Sequence, residues 1–331
     1  MATPATMTHR SRRMALLADI LLFTVAIFWG SSFVLIKLAT ETTTDAVSPV
    51  AQDIVAGSLM FLLCRYLIAT GVLAVVQPQS WLRARRGDWA RGSVLGALYL
   101  TALVLQTIGL QRTSPGVSGF ITGMNIAMVP FLYWLFAKRS PGRYQIVGAI
   151  IVTIGLAALS LQGDFTLSGG DSLTLLGALL YALHIMATGF YAPKVRAATL
   201  AFTQIAFSAA ALLVVTPFVT PITFSLPWEF WAMTVWMALT GTIYAFFIQS
   251  WGQRYTTSTH AAILLGFESV FAATAGIVFG MDSLTWRLLI GGSLMLAGVL
   301  IVELLPSSKA VVEEIEAEEG PLADLSGRDE V

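Results

Sequence analysis

Gln111-Arg112, GMNIAMVPF over residues 123–131 and QIVGAIIVTIGLAAL over residues 145–159 are answered later in the chain. Their counterparts are Gln253-Arg254, GFESVFAAT over residues 266–274 and LLIGGSLMLAGVLIV over residues 288–302. Gly123/Gly266, Gly148/Gly291 and Gly155/Gly298 share an offset of 143, whereas Gln111/Gln253 and Arg112/Arg254 share 142, so one residue has slipped between them. Upstream, Asp19/Asp171 and Trp29/Tyr181 continue the echo at an offset of 152. Self-similarity over this length is a duplicated unit, not a short solenoid repeat. In a membrane protein such a duplication implies a cavity between two halves, which is the architecture of a transporter.

That the chain belongs in a membrane follows from bulk composition. Its 331 residues are 56% hydrophobic and 11% charged, with a mean hydropathy of +0.77, against roughly 25% charged residues in a soluble domain. Apolar runs recur along the whole length, each long enough to cross a ~30 Å hydrocarbon core at ~1.5 Å per residue. The expected spans are 16–37, 54–76, 91–111, 115–137, 143–161, 172–192, 200–219, 231–252, 258–279 and 285–304. The sequence therefore predicts an all-α integral membrane fold of ten transmembrane helices, arranged as two five-helix repeats at 16–161 and 162–304. KRSPG (residues 138–142) alone separates the fourth and fifth spans, so these should form a tight hairpin.

The first apolar run follows Arg10, Arg12 and Arg13, but it is too long for a signal peptide and no small-x-small cleavage site follows it. It reads as a retained helix after a short tail, residues 1–15. Cys64 is the single cysteine, so no intrachain disulfide can form. Lys and Arg in the loops set the orientation. Fifteen fall on one side, from the Arg10 and Arg83 clusters through Lys138, Arg139, Arg143, Lys194, Arg196 and Arg254 to the tail. Three (Lys37, Arg112, Arg287) fall on the other. Both termini are expected in the cytoplasm. Five helices per repeat then make the second copy start on the opposite face, so the repeats are inverted, related by a pseudo-two-fold axis in the membrane plane.

Overall neutrality, 19 basic against 19 acidic residues, conceals a division. Residues 306–331 hold eight acids and two bases; without them the balance is 17 to 11, or +6. Residues 305–331 have too little apolar content for a core and read as a disordered, solvated acidic tail.

Polar groups within the spans are the functional candidates. Arg65 is about the twelfth residue of its span, Asn125 the eleventh, His184 the thirteenth and Glu268 the eleventh. All four fall near the bilayer centre, where a charge costs roughly 2.5–3.5 kcal/mol and should face a cavity or a partner. Arg65 keeps its proton and is too far from either helix end to snorkel comfortably. Glu268 is the only acid deep in any span. Either the two are paired, as a static fastener or otherwise, or both meet a polar substrate. His184 could relay a proton or simply pack. Asn125 occupies the repeat position of Glu268, which makes the cavity asymmetric; interhelical hydrogen bonding is its alternative role. Trp29, Tyr181, Tyr244, Tyr99, Gln106 and Gln249 form a second tier of cavity candidates. The glycine pairs 148/155 and 291/298 read as close helix packing. Pro130 breaks the fourth span's hydrogen-bond ladder, but its twin is Ala273, so a hinge there belongs to one half only.

An enzyme reading rests on Gly116-Val117-Ser118-Gly119, which matches the GxSG of intramembrane serine proteases, with His184 or His260 as base. Ser118 falls near the outer end of its span, His184 near mid-membrane and His260 near the inner face, so no dyad is expected. No metal spacing, phosphate loop or dinucleotide fingerprint appears, and no ring of charges or carbonyl filter suggests a channel. No catalytic residue, cofactor, metal or nucleic-acid partner is expected.

FWGSSFVLIKLA from Phe28, RYLIA from Arg65, GFITGMNIAMVPFL from Gly119 and QRYTTSTHAAILLGFESVFAAT from Gln253 give the chain a resemblance to the EamA-type transporters of the drug/metabolite transporter superfamily, over roughly residues 16–305. The family usually carries Glu-Pro where this chain has Glu268-Ser269, which puts the local helix distortion in question. The resemblance implies two five-helix repeats around a central cavity, working by alternating access in the cytoplasmic membrane as a monomer or homodimer. It implies transport of small polar metabolites such as amino acids or drug-like compounds, often by export. Coupling to protons and an uncoupled, channel-like facilitative carrier both stay open.

Overall fold

The computed structural model describes residues 9–47, 53–137, 142–160, 168–256 and 258–304, and every regular element among them is helical. Helix α1 runs His9–Val47, α2 Ile54–Val76, α3 Gln79–Leu82, α4 Arg86–Leu110, α5 Pro115–Gly123, α6 Asn125–Ala137 and α7 Arg143–Ser160. Then come α8 Gly169–Tyr191, α9 Ala197–Val215, α10 Trp228–Met237, α11 Ala245–Gly252, α12 Ser258–Gly266, α13 Glu268–Val278 and α14 Trp286–Leu304. Seven helical stretches are long and apolar enough to cross a membrane, and three shorter apolar ones (Ile146–Gly155, Leu264–Val278, Trp286–Gly298) fall within the fifth, ninth and tenth expected spans. The acidic tail and most of the KRSPG connection lie outside the described residues.

Local chemistry fixes the helix starts. Asp53 accepts from the backbone N–H groups of Val55 and Ala56 at 2.9 and 3.2 Å, and Ser168 accepts from Asp171 at 3.0 Å, satisfying donors that have no partner within the helix. Ser114 caps α5 ahead of Pro115, whose missing N–H is harmless at the first position. Asp171 is a first-turn acid of α8, but its repeat counterpart Asp19 lies inside α1, because α1 begins at His9 and extends to Val47, well beyond the expected 16–37.

Three departures from regular helix matter. The fourth span breaks at Met124 and the ninth at Phe267, and these residues share the 143 offset. The hinge is therefore not at Pro130, which lies inside α6, and it is not confined to one half. Phe267 breaks the helix without the proline of the usual Glu-Pro; beyond the break, Ser269 Oγ donates to the carbonyl of Gly119 at 2.8 Å and ties α13 to α5. The third is a π-helical segment, Ala238–Tyr244, between α10 and α11. Such wide turns free backbone carbonyls and recur at functional sites.

Small residues let the helices approach. In the α7/α14 pair, a Cβ on Gly155 would stand 2.8 Å from the carbonyl oxygen of Gly291, and one on Gly298 would stand 2.7 Å from that of Gly148. Backbone contact of this kind is how helices associate in lipid. Gly298→Val is expected to destabilise the protein by about 1–3 kcal/mol through overpacking. Gly71→Ala, where an added Cβ meets nothing within 4 Å, serves as the neutral control. Thermal unfolding in detergent checks this; equal Tm values for the two variants would contradict the close packing.

Candidate functional site

Helices α1, α2, α4 and α8, the two broken helices and α11 surround a polar cavity of about 30 Å³. A single water occupies about 10–15 Å³ on such a measure, so this conformation is closed around room for roughly two. Nine of the ten candidate residues line it: Trp29, Arg65, Tyr99, Gln106, Asn125, Tyr181, His184, Gln249 and Glu268. Thr122 and Ser32 join them.

Arg65 is 1% exposed. Its Nε donates to Thr242 Oγ1 at 2.8 Å, in the π-helical segment, while Nη1 has no partner among the described residues. Gly241 in the same segment leaves space for the guanidinium, and its carbonyl accepts from Trp29 Nε1 at 2.9 Å. The π turn thus anchors two lining residues. Glu268 is buried and lines the same cavity, but it is not ion-paired with Arg65. The static fastener considered from sequence is not the arrangement adopted.

Asn125 and Glu268 each open the second half of a broken helix, α6 and α13. A carboxylate there meets the positive end of the α13 dipole, in the manner of discontinuous helices at transporter binding sites. Asn125 Oδ1 is buried without a partner among the described residues.

The repeat-related glutamines behave differently. Gln106 Oε1 accepts from Tyr181 Oη at 2.9 Å, and its Nε2 donates to Thr122 Oγ1 at 2.8 Å, joining α4, α8 and α5. Its counterpart at offset 143, Gln249, is buried with both amide atoms unpartnered among the described residues. The counterpart of Tyr181 is Trp29, which is engaged with Gly241 instead of Gln249. Identical residues at the 143 offset are satisfied at residue 106 and unsatisfied at residue 249.

Tyr99 ties the aromatic wall together, with ring centroids 5.1 Å from Tyr181, 5.1 Å from His184, 4.5 Å from Phe246 and 5.9 Å from Trp29. His184 Nε2 and Gln204 Oε1 lie 3.0 Å apart, and the hydrogen bond between them joins α8 to α9. Tyr244 lies away from the cavity: its hydroxyl is 2.6 Å from Thr24 Oγ1 and its ring meets Phe28 edge-on, pinning α1 to the end of the π segment. Sequence reasoning missed Thr242, Gln204 and Thr122, all partners of the candidates; of the three, only Gln204, an amide inside the apolar span 200–219, carries a signal that could have found it. Ser118 is buried in α5, and His184 is bonded to Gln204 and not to it. The side chain of His260 is outside those described.

The profile of the EamA-like transporter family matches residues 16–161 and again residues 168–304. The chain belongs to the EamA-like transporter family. It is a multi-pass membrane transporter, in a family of transporters and not of enzymes. An uncharacterized transporter of Archaeoglobus fulgidus is 29% identical over 291 residues, covering 87% of this chain and 86% of that one. A solved crystal structure superposes with a TM-score of 0.63 at 18% identity, covering 87% of this chain and 96% of the other, which is a likeness of fold alone.

Proposed function

We propose that the protein is a secondary transporter that moves a small polar metabolite across the cytoplasmic membrane by alternating access between two inverted five-helix repeats. The observation that carries this reading is the set of unsatisfied polar atoms facing one buried cavity: Arg65 Nη1, Asn125 Oδ1 and both amide atoms of Gln249. A buried polar group without a partner costs about 1–3 kcal/mol. Four converging on one place favour a polar occupant that supplies several hydrogen bonds at once. Arg65 and Glu268 anchor its charged parts or couple its passage to protons; Trp29, Tyr99, Tyr181 and His184 line the path.

The two-repeat reading is supported by the matched breaks at Met124 and Phe267. Ten spans, with both termini and the acidic tail in the cytoplasm, follow from the loop charges. Alternating access is supported by asymmetry across the pseudo-axis. The outer halves α5 and α13 pack through Gly119 on Ala272, Gly123 on Ser269 and Gly116 on Ala273, more extensively than α6 packs on α12. The opposite-facing state exchanges these roles: Gln249 acquires partners as Gln106 releases Tyr181 and Thr122. Tyr244 serves as a pin between repeats.

Proteoliposome flux with a panel of amino acids and related polar metabolites, run with and without a pH gradient, tests the reading. Saturable flux of at least one compound, enhanced by the gradient, is expected. Flux of none sinks the reading; gradient-independent flux sinks proton coupling alone and leaves a facilitative carrier.

A further inference from the structure

A larger cavity, about 730 Å³, lies apart from the polar one, between α6, α7 and α8. Its walls are Met128, Leu132 and Trp134 on α6, Ile146 and Ile150 on α7, and Leu179 on α8, together with Met124, the break residue next to Asn125. Its one lining hydroxyl is Thr153, which already donates to the carbonyl of Ala149 at 2.8 Å, and its other lining side chains are aliphatic, thioether or aromatic. Water would find no partners there, since a buried water needs two to four. The walls are held by different neighbours: α7 packs chiefly on α14, and α6 meets α8 more than it meets α7. The flanks Leu135, Ile150 and Ile154 are exposed apolar surface, continuous with the face that a multi-pass protein turns to lipid. The occupant is therefore apolar, flexible and drawn from the bilayer.

One turn before the lining residue Ile146, α7 carries a charge. Arg143, the first residue of α7, is exposed, and Ile146, Ile150 and Thr153 continue its face at helical spacing. Its guanidinium is held by Tyr144, through a hydrogen bond of 2.8 Å to the phenol oxygen and a contact 4.6 Å above the ring. The N–H groups of the first turn of α7 add positive potential at the same end. We propose that the groove is a binding site for an anionic membrane phospholipid, its phosphate at Arg143 and one acyl chain lying along α6 and α7 with its end against Met124. The lipid completes the packing beside the helix break and so acts on the hinge that carries Asn125. The site does not depend on what the central cavity transports.

The test uses the full-length protein in liposomes containing a trace of phosphatidylglycerol with a diazirine at one acyl terminus, photolysed and mapped by peptide mass spectrometry. Labelling at Met124, Met128 or Leu179 is expected to exceed severalfold that at the lipid-facing residues Leu213 and Val214. The matched phosphatidylcholine probe should label the groove severalfold less. Arg143→Gln should remove that headgroup preference, and Ile150→Trp, at an exposed position, should reduce labelling of Met124. The proposal is overturned by uniform labelling over all lipid-facing helices, by equal labelling from both headgroups, or by groove residues cross-linked to a second copy of the chain in place of the probe. The distribution on the unmodified protein decides the matter even if a variant fails to fold.

Discussion

Arg65→Met is expected to abolish flux while leaving the protein at least as stable as its parent. A buried charge that fastens helices and a buried charge that waits for a substrate differ in what removal does to the fold. Breaking a buried pair leaves the partner uncompensated and costs about 3–5 kcal/mol. Arg65 has no ion-pair partner to abandon among the described residues; it holds one hydrogen bond to Thr242, and Nη1 is unpartnered. Replacing such a group by an apolar side chain of similar length relieves burial of a cation near mid-membrane, and substitutions of this kind are often neutral or stabilising by ~1–4 kcal/mol. Thermal unfolding in detergent should therefore show an unchanged or raised Tm. Flux should fall by about 100-fold, equivalent to ~2.7 kcal/mol of lost interaction with the passing solute. Arg65→Lys keeps the charge but not the planar fork, and should recover only part of the activity. A large drop in Tm for Arg65→Met, or flux near the parental level, would place Arg65 in the scaffold and remove it from the site.

Much of this site is legible in the sequence alone, for a physical reason. In hydrocarbon every polar side chain must be explained, so Arg65, Asn125, His184 and Glu268 stand out by depth alone. The repeat offset pairs Asn125 with Glu268, and the two do occupy matching places at the starts of α6 and α13. Phase and partnership are the parts that sequence does not carry. A regular helix carried through 231–252 does not survive the π segment at Ala238–Tyr244, which re-phases the helical turns beyond it. Tyr244 turns to Thr24 and Phe28 while Gln249 reaches the cavity. Prolines are the residues that point to a break, yet the helix breaks at Phe267 with no proline near it and at Met124 six residues before Pro130. Gln106 and Gln249 are the same letter at equivalent positions, and nothing in the letters distinguishes a satisfied amide from an unsatisfied one. That difference belongs to the conformation.

Glu268→Gln should separate the two roles open to the only acid on the cavity wall. The substitution keeps shape and hydrogen-bonding capacity and removes the charge and the exchangeable proton. Glu268 is buried and not ion-paired with Arg65, so the amide strands no partner and Tm should hold or rise. If the carboxylate anchors a cationic part of the solute, flux with and without a pH gradient should both fall by about 30-fold, ~2 kcal/mol at 1.4 kcal/mol per tenfold. If it carries a proton, gradient-driven accumulation should vanish while exchange of labelled for unlabelled solute persists. Full gradient-driven flux in Glu268→Gln would remove the residue from both roles. The 143 offset adds a sharper variant: Asn125→Glu combined with Glu268→Asn moves the carboxylate from the start of α13 to the start of α6 without changing the composition of the cavity. A cavity symmetric in function would accept this. Here α9, which follows α8 as α2 follows α1, contains no basic residue to stand where Arg65 stands. The transposed carboxylate therefore faces an unchanged Arg65 from the other half, and the double variant should fold but remain as inactive as Glu268→Gln. Recovery of flux would mean that the solute meets only the sum of the charges and not their places.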